Sequence, residues 1–450
     1  MPIRIFIDRK SAAANTRLGD WRYYQSEDIS NFVSAMTTDS STPEAAAGCP
    51  FHTVPMHKFP LPRIHPMDPP QQYREAEVQC PIHKVEQWNG KQAWFFTRYD
   101  DIRSLLTNPR TSADASHPNY PAQNAALAIV RKDYQVFAQM DPPEHTSERR
   151  LVAGDFSVQR IELMRPKIQA LVDRRIEAIL SKPKKADLIA DFAGPVPCGV
   201  ICTLLGVPET DHSLIQSWAR EISSLNTSSE TAAVMIKDFC DNYLTNLVRK
   251  KNAAPEDDLL SRLIVQQMRT GHISELKVVS LARLFLTAGH ESSSDTLGLG
   301  LAALLYNQDQ LALLRDNPAL IKGAVEEILR YTDVTHSGRL RTAREDIEIG
   351  GVTVRKDDAI IMHQPTANRD PALFPNPNQF DICRPPRPHL TFGTGIHSCI
   401  GQPLARMELQ IAIGSLIQRI PTLRPTQALE ALHFHHRLAI YGLESLPVTW

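Results

Sequence analysis

No run of about 18 uninterrupted apolar residues, the length a membrane-crossing helix requires, occurs anywhere in the chain. The longest apolar stretch, Val196 to Val207, falls short of that and contains Pro197 and Gly199, so it is expected to form a buried helix. The first ten residues, MPIRIFIDRK, carry charges where a secretion signal needs its apolar segment. Together these absences lead us to expect a cytoplasmic protein that does not enter a membrane. Cysteine is also scarce: seven residues, an odd number, are spread thinly through 450. That excludes the dense disulfide framework of a small secreted scaffold and suits a reducing compartment. Cys198 and Cys202 stand four apart in the apolar stretch, but without a neighbouring His or second Cys pair they are expected to pack, not to bind metal. Net charge is nearly absent as well, formally −1. No overall electrostatic pull toward nucleic acid or an anionic membrane follows from that balance. With 42% hydrophobic and 22% charged residues, the composition supports a sizeable core.

Residues 1–60 mix Ser, Thr, Ala and Pro with little periodicity and are expected to be an extended or partly disordered leader. HKVEQWNGKQAWFF then predicts two strands joined at Asn89-Gly90, followed by a helix over DIRSLLTNP. Pro109 to Met140 shows few clear elements, and a loop of that length is expected to cover a ligand pocket. Helical patterning dominates 157–330, as in VQRIELMRPKIQALVDRRIEAIL. Strand patterns return in DIEIGGVTVRKDDAIIM, turning at Gly350-Gly351, and again near the C-terminus. The expected fold is mainly α with a small discontinuous β region, in a single domain over 61–450.

Three constellations stand out. In TFGTGIHSCIGQPLARME, Gly393, Gly395 and Gly401 surround a lone cysteine, Cys399, just before a helical pattern whose first turn holds Pro403. Glycine allows positive φ and close backbone approach, so amide N–H groups can point at the sulfur, and the positive end of the helix dipole would lower the thiolate pKa. Leu276 to Tyr306 is long enough for a helix crossing the molecule, yet the polar run AGHESSSDT interrupts its middle. A glycine there costs about 1 kcal/mol relative to alanine, and serines compete for backbone hydrogen bonds; such violations gather at functional sites. Finally, His145 and Arg149 lie four apart, and Glu327 and Arg330 three apart, each pair on one helix face.

The pattern Phe392-Gly393-x-Gly-x-His397-x-Cys399-x-Gly401 resembles the cysteine-ligand loop of the cytochrome P-450 family at every specified position. The resemblance implies the family fold, with haem b between the long central helix and the Cys-ligand loop. Cys399 would be the axial iron ligand, a thiolate that favours O–O cleavage. Ala288, Gly289 and Glu291 match the family segment that passes over the haem, where small residues leave space for dioxygen; Ser292 stands where threonine is usual. Serine keeps the hydroxyl but lacks the methyl that limits its rotamers. Glu327 and Arg330 match a helix that locks onto a loop ahead of the cysteine. Arg341, with Arg339 as the competing choice, and His145, Arg149 and His397 match partners of the haem propionates. Ala367 to Pro371 resembles a further architectural motif, whereas His433, His435 and His436, lacking carboxylate or thiolate company, are expected to line the pocket or lie at the surface. The likeness runs from about residue 60 to the end and comprises at least five motifs in the family's order.

The implied activity is hydroxylation or epoxidation of a hydrophobic small molecule, terpenoid, polyketide, steroid or fatty-acid-like, with Glu291 and Ser292 relaying protons to oxygen. Electrons would come from a separate ferredoxin and its NAD(P)H-linked reductase, docking near Cys399, and the enzyme would act as a monomer. The loop before Met140, Ser213 to Lys237, Val334 to Gly338 and the C-terminal strands would line the pocket. A haem-thiolate peroxygenase or nitric oxide reductase is the alternative, against which the acid and alcohol of Glu291 and Ser292 count. A haem-based sensor would need an output module, and the sequence shows none.

Overall fold

The computed structural model describes residues 59–87, 89–121, 134–222, 228–436 and 440–450. The leader expected over 1–60 lies outside these residues except for Phe59 and Pro60. Phe59 already belongs to the folded body: its N–H donates to the Glu86 carbonyl at 2.8 Å and its ring packs 5.6 Å from that of Phe95.

The helix Glu275–Tyr306 runs for 32 residues, about 48 Å at 1.5 Å per residue. Ser274 caps it, its hydroxyl accepting the Lys277 N–H at 3.2 Å. From Asp295 to Leu305 every residue is buried, so this half is wrapped by other elements on all sides. Gly300 permits one such approach, because a Cβ there would fall 2.7 Å from Cγ2 of Ile328 on helix Ile321–Tyr331. Another flank is covered by Pro195–Leu205, buried at all but one position, as the apolar stretch predicts. It stops at Gly206, whose φ of +70° lets the Val207 N–H fold back to the Cys202 carbonyl at 2.9 Å. Cys198 and Cys202 are buried free thiols within it. Helices Arg165–Leu180 and Gln402–Arg419 pack on one another and extend the same apolar core.

The β structure is small and scattered, as expected. A five-stranded sheet runs in the order Ile82–Glu86, Gln92–Phe96, Ala359–Met362, Arg339–Ala343, Thr111–Ser112. Its neighbours are antiparallel except for Gln92–Phe96 beside Ala359–Met362. The hairpin at Asn89-Gly90 forms with a wider loop than two residues, closed by the Gln87 N–H on the Lys91 carbonyl at 2.8 Å. Gly350 and Gly351, at φ +55° and +84°, make the two-residue turn between Ile347–Ile349 and Val352–Val354. A C-terminal hairpin pairs Phe434–His436 with Tyr441–Leu443 and packs on the central helix. Of the expected pocket-covering loop, the described parts hold the short strand Thr111–Ser112 and a 3-10 turn at Phe137–Gln139; 122–133 lie outside the described residues.

Candidate active site

The cysteine loop is built from tight backbone turns. Leu390 takes the Gly393 N–H at 2.7 Å, Phe392 takes the Cys399 N–H at 2.8 Å, and Gly395 takes the Ser398 N–H at 3.1 Å. Gly393 and Gly395 adopt φ of +66° and +73°, and a Cβ on Gly395 would stand 2.9 Å from the Leu106 carbonyl oxygen, so this position excludes any side chain. Gly401 differs from the expectation: its φ is −81°, and a Cβ would lie at an ordinary 3.9 Å from the Cys399 sulfur. It serves instead as the N-cap of helix Gln402–Arg419, with Pro403 in the first turn. The helix begins three residues after Cys399, a half-buried free thiol.

Arginine and histidine side chains converge beside this loop. Arg149, on helix Glu144–Ala153, donates through Nη2 to the Ser398 carbonyl at 2.8 Å; burial lowers its pKa, and the Cys399 sulfur is near enough to oppose that. One turn earlier His145 is buried, its ring 4.2 Å from that of His397. Burial, followed by the charges of Arg341, His145 and Arg149, holds His397 down to about 3. His145 is lowered by burial and then by Arg149, with Asp141 and the Ile396 backbone opposing. Neither of its ring nitrogens has a partner at hydrogen-bond geometry among the described residues. Arg341 is buried on strand Arg339–Ala343 within electrostatic reach of both imidazoles, whereas Arg339 leans on the Thr391 carbonyl and Asp333. Two guanidiniums and two neutral imidazoles that converge here are donors that fit the carboxylates of a haem, and the reach of Arg341 to both imidazoles favours it over Arg339.

The polar run does not break the central helix, because its hydroxyls bond backward: Ser292 Oγ to the Ala288 carbonyl and Thr296 Oγ1 to that of Ser292, both at 2.7 Å. Ala288 is exposed, so open space at this turn lies on its side. Gly289 faces the other way. A Cβ there would meet Ile201 Cδ1 at 2.9 Å, which makes this glycine a close contact between helices. Glu291 and Ser292 are half-buried. One turn on, Asp295 is buried with His435, Oδ1 to Nε2 at 3.1 Å. This corrects the reading of the C-terminal histidines as lacking carboxylate company. The partner lies 140 positions away, where no local pattern could show it. Among the described residues, no three His, Cys, Asp or Glu side chains group to hold a metal ion.

Glu327 and Arg330 form a buried two-pronged pair at 2.8 and 2.7 Å. Arg384 joins Glu327 at 3.1 Å, a third member that its surroundings in sequence do not reveal. Arg330 continues to the carbonyls of Asn368 and Pro377, both at 2.9 Å. Asn368 in turn donates to Asp333 at 2.8 Å and accepts the Leu390 N–H at 2.7 Å. The 367–371 motif thus links the ion pair directly to the start of the cysteine loop.

The sequence profile of the cytochrome P-450 family matches residues 213–428. The chain is 39% identical to cytochrome P-450-SU2 of Streptomyces griseolus over 88% of its own length and 97% of that relative. It is 38% identical to pentalenic acid synthase of Streptomyces avermitilis, over 87% and 97% respectively. The structure of the mycinamicin VIII C21 methyl hydroxylase of Micromonospora griseorubida matches with TM-score 0.82 at 34% identity, covering 88% of this chain and 100% of that one. A thiol cradled by positive-φ glycines, a cluster of arginine and histidine donors fit for propionates and a likeness that covers nearly nine-tenths of the chain lead to one conclusion: the chain belongs to the cytochrome P-450 family, the haem b monooxygenases that act on small molecules with dioxygen.

Proposed function

We propose that Cys399 is the thiolate ligand of the haem iron and that the chain oxidises a hydrophobic, ring-bearing small molecule of terpenoid or macrolide type. The substrate class is supported by the names of two relatives, a pentalenic acid synthase and a mycinamicin hydroxylase. When bound, haem supplies the reductive activation of dioxygen and the transfer of one oxygen atom to a C–H or C=C bond. The protein's part is to hold and to protonate. His145, Arg149, Arg341 and His397 would take the propionates, while Ala288 would leave room for dioxygen. The Ser292 hydroxyl, which donates to the Ala288 carbonyl, would swing outward and donate its proton instead toward the oxygen. Glu291, one residue before it, would resupply that proton from solvent. Glu327 and Arg330 hold the loop and take no part in the chemistry.

The same reading makes the enzyme a cytoplasmic monomer fed by ferredoxin and an NAD(P)H-linked reductase. The exposed Ile396 beside Cys399 supports docking on that face. The observation that carries the proposal is the Cys399 loop, whose turns and following helix serve a thiolate. It is tested by the carbon monoxide difference spectrum of the reduced protein. The wild type should show the strongly red-shifted thiolate band and Cys399→Ala should lose it; a band retained in the variant overturns the assignment.

A further inference from the structure

Arg406, on helix Gln402–Arg419, is held more tightly than a side chain about one-third exposed needs to be. Its Nε and Nη2 donate to the two carboxylate oxygens of Glu326 at 2.7 and 3.0 Å, and Nη1 donates to Gln402 Oε1 at 2.9 Å. Such a planar fork leaves the guanidinium little rotational freedom. Held this way, its central carbon lies 4.7 Å from the centroid of the Phe392 ring, within cation–π range. Phe392 is the residue whose carbonyl accepts the Cys399 N–H. Glu326 also faces His389, whose Nε2 lies 3.2 Å away and whose ring is 6.0 Å from that of Phe392. Arg406 and His389 together keep the Glu326 carboxyl at about 2 against the opposing effect of burial, so it is ionised at neutral pH.

We propose that Arg406, clamped by Glu326, is a positioning residue that fixes Phe392 over the cysteine loop and tunes the charge felt by the Cys399 thiolate, hence the reduction potential of the bound haem. The inference rests on the haem-thiolate reading. Its physical basis is that fixed charges and contacts around the ligand, beyond the ligand itself, set a metal's potential. Because the pair carries opposite charges, its two halves should act in opposite directions. Glu326→Gln leaves Arg406 unbalanced, favours the added electron and raises the potential. Arg406→Gln leaves the Glu326 carboxylate with His389 alone beside it and lowers the potential. The double variant should return close to the wild type, and Arg406→Lys, which keeps the charge but not the flat stack, should shift the potential less than Arg406→Gln. Since both side chains are partly exposed, the shifts should shrink in 1 M salt.

The test is a spectroelectrochemical titration of the purified holoenzyme and these variants. Shifts of opposite sign that cancel in the double variant support the proposal. Shifts of the same sign, the signature of a loop merely loosened, or no shift at all, overturn it. Should Arg406→Gln fail to retain haem, Glu326→Gln decides alone: a raised potential supports the proposal, and an unchanged or lowered one overturns it. Failure of the underlying reading would show separately, as a wild-type protein without the red-shifted carbon monoxide band.

Discussion

At the scale of single residues, two side chains invite direct tests. Ser292 Oγ donates to the Ala288 carbonyl at 2.7 Å, a bond that the proposed proton donation would have to release. Without the methyl of threonine it has more rotamers to choose from. Ser292→Ala should therefore leave electron consumption near normal while the share of electrons released as hydrogen peroxide rises several-fold, measured as peroxide against NAD(P)H consumed. Unchanged coupling would remove Ser292 from the relay. Glu408, inside helix Gln402–Arg419, is fully buried, its Oε1 has no hydrogen-bond partner among the described residues, and burial pushes its pKa from 4.5 up to about 8. A carboxyl raised on folding contributes stability that is complete below its unfolded pKa and lost as pH climbs through the folded one. The wild type should thus lose stability between about pH 4.5 and 8 through this group. Glu408→Gln should flatten that part of the curve, seen as a melting temperature that no longer falls over this window.

At the scale of elements, helix Ile321–Tyr331 shows how much a short local motif leaves unsaid. Glu327 and Arg330 are visible as an i, i+3 pair, but their worth depends on burial. An exposed pair contributes about 0–1 kcal/mol, whereas breaking a buried one costs about 3–5 kcal/mol, because a charge is left without compensation. Here Glu327 balances both Arg330 and Arg384. Glu327→Gln should lower the unfolding free energy by about 3–5 kcal/mol and reduce haem uptake, since the chain of bonds through Arg330 and Asn368 ends at Leu390 of the cysteine loop. Denaturant titration together with haem content would check both effects. The central helix teaches the complementary lesson about Gly289. Its place in the motif was legible, but the side on which it meets Ile201 depended on where another helix packs.

At the scale of the whole molecule, the C-terminal hairpin is tied to the central helix by Asp295 and His435, and Gly442 makes room for them. A Cβ on Gly442 would stand 2.1 Å from Asp295 Oδ1 and 2.7 Å from His435 Nε2. Gly442→Ala should therefore push the pair apart and loosen Phe434–His436 and Tyr441–Leu443. Amide exchange in those two strands should accelerate while the sheet containing Gln92–Phe96 stays protected; unaltered exchange in the hairpin would contradict this.

The local features of this protein follow from sequence alone. They are the glycine-framed thiol at Cys399, the long helix with its polar middle, the buried helix around Cys198 and the turns at Asn89-Gly90 and Gly350-Gly351. Each is settled by neighbours within a turn or a pleat, whose spacing a linear chain records. Tertiary structure alone decided the partners: Arg384 for Glu327, His435 for Asp295, Phe392 under Arg406, and the meeting of His145, His397 and Arg341. Those contacts join residues from 14 to 252 positions apart. Coulomb attraction, desolvation and packing act through space, and no periodicity in the chain carries their register.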